Sequence, residues 1–171
     1  MSVAANIARI RKEFGDSKAA LIAVSKYVGV AEIKEAFDQG VTQFGESRIQ
    51  DALKKQDDLP PYMAKDIRWH FIGHLQTNKV KKTVGKFALI HSIDSLRLAQ
   101  EVSEQAQKLG IIQAILIQAK IVEDENKSGF DSAELEKCFG EIMKMPGIKI
   151  EGLMTMSPLT EEKPIWIECF S

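Results

Sequence analysis

Short apolar runs alternate with amphipathic segments along the chain, and this regular order restricts its fold more than any other feature of the sequence. In the amphipathic segments, apolar residues recur at steps of three or four, which is typical of helices with one buried face. The intervening runs are interpreted as strands and lie at residues 19–24, 43–45, 67–72, 88–93, 111–121 and 148–155. Because helices separate these runs and no hairpin turn joins two of them, the sequence predicts an α/β protein with parallel strands.

Local signals mark where several of the helices begin and end. Asp94 is placed to cap a helix that continues at helical spacing to Leu109, and Gly110 stands where a helix should end. Asp131 and Glu134 have the spacing of a capping box. A lysine-rich helix is predicted from about Asn78.

Two α/β architectures fit this order, an open doubly wound sheet and a (β/α)8 barrel. A dinucleotide-binding sheet would carry Gly-x-Gly-x-x-Gly after its first strand, but residues 24–30 read VSKYVGV. The sequence therefore favours the barrel. Closure requires eight strands, whereas six are predicted, and the apolar residues 165–167 have no following partner element. We therefore expect an incomplete TIM barrel, a single domain over residues 1–171 that lacks the C-terminal strand-helix units.

Composition restricts the partners and the compartment. The 23 basic and 24 acidic side chains give a net charge of −1, which argues against nucleic-acid binding. No apolar run is long enough to cross a membrane, and the N-terminal segment lacks the apolar core of a signal peptide. Cys138 and Cys169 have neither disulfide-framework nor metal spacing, and His70 and His74 lack a third ligand. These features predict a cytoplasmic protein without a metal ion.

Lys26 is the residue whose position points most directly to chemistry. Sites in such folds gather at the carboxyl ends of the strands, and Lys26 is the first charged residue after the apolar run at residues 21–24. Burial at that place would favour the neutral amine, which is the form that adds to a carbonyl group to give a Schiff base. On position alone, a lysine that extends to solvent is the more common case.

Five segments, taken together, carry a more specific pattern. They are residues 23–26 (AVSK), 44–50 (FGESRIQ), 69–79 (WHFIGHLQTNK), 127–130 (KSGF) and 152–156 (GLMTM). In this order they resemble the family of pyridoxal phosphate homeostasis proteins. The resemblance implies a barrel of the alanine racemase N-terminal type, with pyridoxal phosphate held on Lys26 as a Schiff base.

The same resemblance implies that Ser47, His74 and Met154 belong to the cofactor site, with His74 at its mouth and Met154 in its wall. Ser47 stands where the family usually has asparagine, which puts an amide contact to the cofactor there in doubt. The phosphate contacts are implied to lie in the strand-helix units that this chain lacks, so we expect weak retention of the cofactor. Members of the family resemble carriers that regulate vitamin B6 balance and have no established catalytic reaction.

Two alternatives stay open. A racemase-like pyridoxal phosphate enzyme would need a second acid/base group opposite Lys26, and the resemblance to alanine racemase puts that group in another domain. The chain could also be a non-functional fragment, whose open strand edges would promote self-association. The sequence predicts no particular oligomeric state.

Overall fold

A computed structural model describes residues 2–120, 128–157 and 162–170 of the chain. It divides into two compact units, Met1–Phe71 and Ile72–Ser171. Each unit contains three parallel strands and the helices that accompany them. The prediction of one domain over residues 1–171 stays a prediction.

The first unit is built on strands β1 to β3. Its helices are α1 (Val3–Phe14), α2 (Val30–Asp38), α3 (Ile49–Asp58) and α4 (Pro61–Ala64), and its strands are β1 (Ala23–Val24), β2 (Gln43–Glu46) and β3 (Arg68–Phe71). β2 pairs in parallel with both β1 and β3, so that Phe44 lies beside Ala23 on one side and Trp69 on the other. The Phe44 and Trp69 rings are 6.0 Å apart, and both side chains are buried. Ile33 and Ala36 of α2 are buried as well.

The second unit is built on strands β4 to β6. Its helices are α5 (Val80–Thr83), preceded by a single 3-10 turn, α6 (Leu96–Lys108), α7 (Ser132–Ile142) and α8 (Lys163–Phe170), and its strands are β4 (Leu89–Ile93), β5 (Gln113–Gln118) and β6 (Ile148–Met154). β5 is the central strand of the three and pairs in parallel with both neighbours. Its Ile115 and Ile117 are fully buried, as expected for a strand covered on both faces.

The predicted order of strands and helices is confirmed, but several boundaries and caps are wrong. Only residues 23 and 24 of the first apolar run form a strand, and Ile121 of the fifth run lies outside the described residues. The N-cap of α6 is Ser95 in place of Asp94, because the Ser95 hydroxyl accepts the Leu98 amide at 3.3 Å. The predicted lysine-rich helix is the four-residue α5.

The predicted capping box of α7 is confirmed. The Asp131 carboxylate accepts the Glu134 amide at 2.8 Å, and the Glu134 carboxylate accepts the Asp131 amide at 3.3 Å. Both bonds satisfy amides that the first turn of a helix leaves without partners. Among the described helices, none combines the length and apolar character needed to cross a membrane.

Candidate functional site

Lys26 lies on a β-turn directly after β1. The Val28 amide donates to the Ser25 carbonyl at 3.1 Å, which closes the turn with Lys26 and Tyr27 at its two central positions. The Ser25 amide in turn donates to the carbonyl of Gly45 in β2 at 3.0 Å. The turn is therefore attached to the end of the neighbouring strand.

The structure shows the solvent-exposed Lys26 that position alone predicts, and not the burial that would favour a neutral amine. Its side chain is exposed, with Nζ 5.0 Å from the centre of the Tyr27 ring, and Tyr27 is itself 85% exposed. The preceding Val24 is 53% exposed. Because β1 has only two residues and Val24 does not face the core, the end of this strand gives Lys26 no apolar surroundings.

A buried ion pair lies beneath the turn. Glu46, the last residue of β2, is completely buried, and its Oε1 accepts from Lys55 Nζ at 2.5 Å and from Ser25 Oγ at 2.9 Å. Lys55 comes from α3, and its Nζ also donates to the Ser25 carbonyl at 2.6 Å. One carboxylate and one ammonium thus hold the residue that immediately precedes Lys26.

Sequence reasoning missed Lys55 altogether. A signal was present, because Lys55 follows the fully buried Ala52 by three residues and therefore lies on the inner face of α3. A lysine on the inner face of a helix requires an acidic partner, and Glu46 ends the strand that precedes the same helix. The two observations together could have predicted the pair.

Ser47 is the second predicted site residue in the first unit. It follows Glu46 directly and is half-buried. The register pairs Val24 with Gly45, so Lys26 and Ser47 each lie two residues beyond a matched pair at the carboxyl ends of adjacent parallel strands. The structure thus brings the segment of Lys26 after β1 and the segment of Ser47 after β2 side by side.

His74 and Met154 belong to the second unit. His74 is exposed, and its Nδ1 lies 3.2 Å from the carboxylate of Asp94, which directly follows β4. Met154 is half-buried at the end of β6, and its carbonyl accepts the Ala119 amide at 2.9 Å. Both predicted residues therefore lie near segments that leave the carboxyl ends of the strands in the second unit.

Two buried polar atoms at strand ends have no hydrogen-bond partner among the described residues. They are Glu46 Oε2 at the end of β2 and Ser92 Oγ near the end of β4. An unsatisfied buried polar atom is costly, and such atoms are often satisfied by a bound ligand or water. In the first unit, the exposed primary amine of Lys26 is the group that fits a ligand with a carbonyl group. The described residues contain no cluster of three metal-ligating side chains.

A separate cavity of about 650 Å³ lies in the second unit between α7 and the sheet. Its walls are mainly apolar and include Phe130, Leu135, Phe139 and Ile150. It contains none of the four predicted site residues. The cavity is therefore distinct from the strand-end positions described above.

The sequence matches the alanine racemase N-terminal domain family over residues 1–166. The chain belongs to this family. Among curated relatives, the pyridoxal phosphate homeostasis protein of Aquifex aeolicus is 40% identical over 147 residues, which cover 86% of this chain and 63% of the relative. The protein of the same name from Pseudomonas aeruginosa is 30% identical over 171 residues, which cover 95% of this chain and 73% of the relative. The resemblance seen in the five sequence segments is thereby confirmed.

Solved structures give the same assignment. PipY of Synechococcus elongatus, solved without PLP, is 37% identical with a TM-score of 0.85, and the match covers 94% of this chain and 74% of PipY. Alanine racemase of Clostridium difficile is 16% identical with a TM-score of 0.79 and shares the fold alone. The predicted fold class, six strand-helix units of a (β/α)8 barrel of the alanine racemase N-terminal type, is confirmed. The chain spans slightly less than two thirds of the length of several curated relatives.

Proposed function

We propose that this chain binds pyridoxal phosphate in the intracellular homeostasis of vitamin B6, and that Lys26 holds the cofactor. The observation that carries the proposal is the position of Lys26, an exposed primary amine on a hydrogen-bonded turn at the carboxyl end of a parallel strand. Pyridoxal phosphate supplies an aldehyde, which condenses with a primary amine to a Schiff base and releases water. PipY, which is 36% identical to this chain, has been solved with PLP bound.

The other site residues would contact the cofactor without bonding to it covalently. Ser47 offers a hydroxyl group beside the Lys26 turn, where it can donate or accept one hydrogen bond. His74, oriented by Asp94, offers an imidazole, and Met154 offers an apolar wall.

We infer that the chain is a carrier and not a catalyst. The curated relatives are named homeostasis proteins. Racemisation requires an acid/base group on each face of the substrate, and a single lysine supplies only one of them. The test is exchange of the α-proton of alanine in deuterated water with pyridoxal phosphate present. We expect exchange at the rate of free pyridoxal phosphate, and a faster rate that Lys26→Ala abolishes would indicate an enzyme.

The binding proposal is tested by trapping the bound cofactor. The chain is mixed with pyridoxal phosphate, freed of excess, reduced with borohydride and mapped by mass spectrometry. We expect one adduct, at Lys26, that is lost in Lys26→Ala and retained in the control Lys54→Ala, which removes an exposed lysine of α3. Adducts scattered over surface lysines, or an unchanged amount in Lys26→Ala, would contradict the assignment of Lys26.

A further inference from the structure

The ion pair beneath the Lys26 turn has a geometry that suggests a specific role. We propose that Lys55 is a positioning residue for Lys26: its ammonium, held by Glu46, fixes the Ser25 carbonyl and thereby the turn that presents the cofactor-binding amine. The inference rests on the proposed function as far as the cofactor is concerned. The ordering of the turn itself is independent of it.

The Ser25 carbonyl is the point on which the contacts converge. It accepts from Lys55 Nζ at 2.6 Å and from the Val28 amide at 3.1 Å, so that the bond that closes the turn and the bond from α3 share one oxygen. The Ser25 amide donates to Gly45, and the Ser25 hydroxyl donates to Glu46 Oε1. All three polar groups of Ser25 are therefore engaged, and Lys26 is the next residue.

Burial makes these contacts strong. Glu46 has no exposed side-chain surface and Lys55 only 13%, so water screens their attraction little. Hydrogen bonds in which one partner is charged are shorter and about twice as strong as neutral ones. The Ser25 carbonyl receives such a bond, so the turn is better fixed than a surface turn closed by one amide would be.

The same contacts separate two amines that lie close in the fold. Lys55 Nζ is part-buried and donates to both Glu46 and Ser25, so these two contacts occupy it beneath the turn. The amine of Lys26 is exposed and stands over the Tyr27 ring. Lys55 thus holds the Ser25 carbonyl, and the amine of Lys26 remains accessible to an aldehyde. A turn ordered before the cofactor binds also reduces the entropy lost on binding.

The test compares Lys55→Met with Lys54→Met in the full chain. Lys54 is the exposed neighbour in α3 and controls for the loss of one positive charge. The first readout is hydrogen exchange of the Val28 amide by NMR without cofactor, and the second is the rate of borohydride-trapped adduct formation at Lys26. We expect about tenfold faster exchange and about tenfold slower adduct formation in Lys55→Met than in Lys54→Met, because one charge-assisted bond is lost.

The outcomes separate this inference from the proposed function. If wild-type Lys26 forms no adduct, the cofactor assignment fails, and exchange of the Val28 amide still decides whether Lys55 orders the turn. If both readouts are the same in Lys55→Met and Lys54→Met, the positioning role is refuted. Should Lys55→Met fail to fold, Glu46→Gln decides, because it removes the charge that holds Lys55 and keeps the side-chain shape. The proposal then requires the Val28 amide to exchange severalfold faster in Glu46→Gln than in the wild type, and unchanged exchange overturns it.

Discussion

Gly147, which lies between α7 and β6, has no room for a side chain. A Cβ built on it would lie 2.1 Å from the Ser103 carbonyl oxygen and 2.8 Å from the carbonyl carbon, both in the backbone of α6. Ordinary contacts are longer than 3 Å, so Gly147→Ala forces the two backbones apart by roughly 1 Å. The Gly147 amide also donates to Ser103 Oγ at 3.1 Å, and its carbonyl accepts from Gln113 at 3.0 Å.

These contacts set the size of the expected effect. Overpacking costs about 1–3 kcal/mol, and each strained hydrogen bond adds about 1 kcal/mol. We therefore expect Gly147→Ala to lower the free energy of unfolding by about 3 kcal/mol or more. Gly140 provides the matched control, because it lies inside α7 and a Cβ there meets nothing within 4 Å. Gly140→Ala should stabilise the chain by about 0.5–1 kcal/mol, since alanine loses less backbone entropy in a helix.

The assay is thermal unfolding followed by far-ultraviolet circular dichroism. In a chain of this length, 1 kcal/mol shifts Tm by about 2–4 °C, so Gly147→Ala should lower Tm by about 6–12 °C. Gly140→Ala should raise Tm by about 1–4 °C. The same substitution thus has opposite signs at two positions that are seven residues apart in the sequence. If both variants melt within a degree or so of each other, the close contact between Gly147 and α6 is refuted.

The buried ion pair and two titrating side chains give further tests. Lys55→Met leaves the Glu46 carboxylate buried without its partner and should lower the free energy of unfolding, measured by urea titration, by about 3–5 kcal/mol. Adding Glu46→Leu to the same chain should recover part of this loss, and additive effects of the two substitutions would contradict the pairing. Burial lowers the pKa of His91 below its usual 6.5, so the unfolded state binds more protons as the pH falls below that value. The free energy of unfolding that neutral His91 contributes is fully present above about pH 6.5 and should decline on acidification. The decline should be less steep in His91→Gln, and an equally steep decline would contradict this role of His91. Burial raises the pKa of the Cys138 thiol. In a Cys169→Ser background, iodoacetamide should therefore react with it more slowly at about pH 8 than with an exposed thiol, and equal rates would contradict this.

The order of the elements was predictable because strands and amphipathic helices repeat their apolar residues with different periods. The capping box of Asp131 and Glu134 was predictable for a similar reason, since its partners are three residues apart. The extent of each strand was not predictable from the sequence. Residues 19–24 are uniformly apolar or small, yet only Ala23 and Val24 pair with β2. Pairing depends on the neighbouring strand, and a run of apolar residues carries no information about where that neighbour begins.

The position of Lys26 followed from the strand end and from the family resemblance, but its surroundings did not. Burial of a side chain depends on atoms contributed by other segments, and here the preceding Val24 faces away from the core. The burial that would favour a neutral amine depends on an environment that the strand end does not provide, and the exposed lysine expected from position alone is what the structure contains. What the fold provides at this place is an ordered turn and an exposed amine.

The tertiary structure shows how the surroundings of Lys26 and Lys55 differ. Both are lysines in the first unit, and both lie within contact of Ser25 or directly next to it in the chain. A sequence motif can mark Lys26, but it cannot show that Glu46 holds the other amine, because the carboxylate and Lys55 are nine residues apart on different elements. A parallel β-α unit brings the end of a strand against the inner face of the following helix. Acidic residues at strand ends and basic residues on inner helix faces are therefore the pairs to search for in such sequences. In this chain that rule identifies Lys55, the lysine that we propose supports the turn of Lys26.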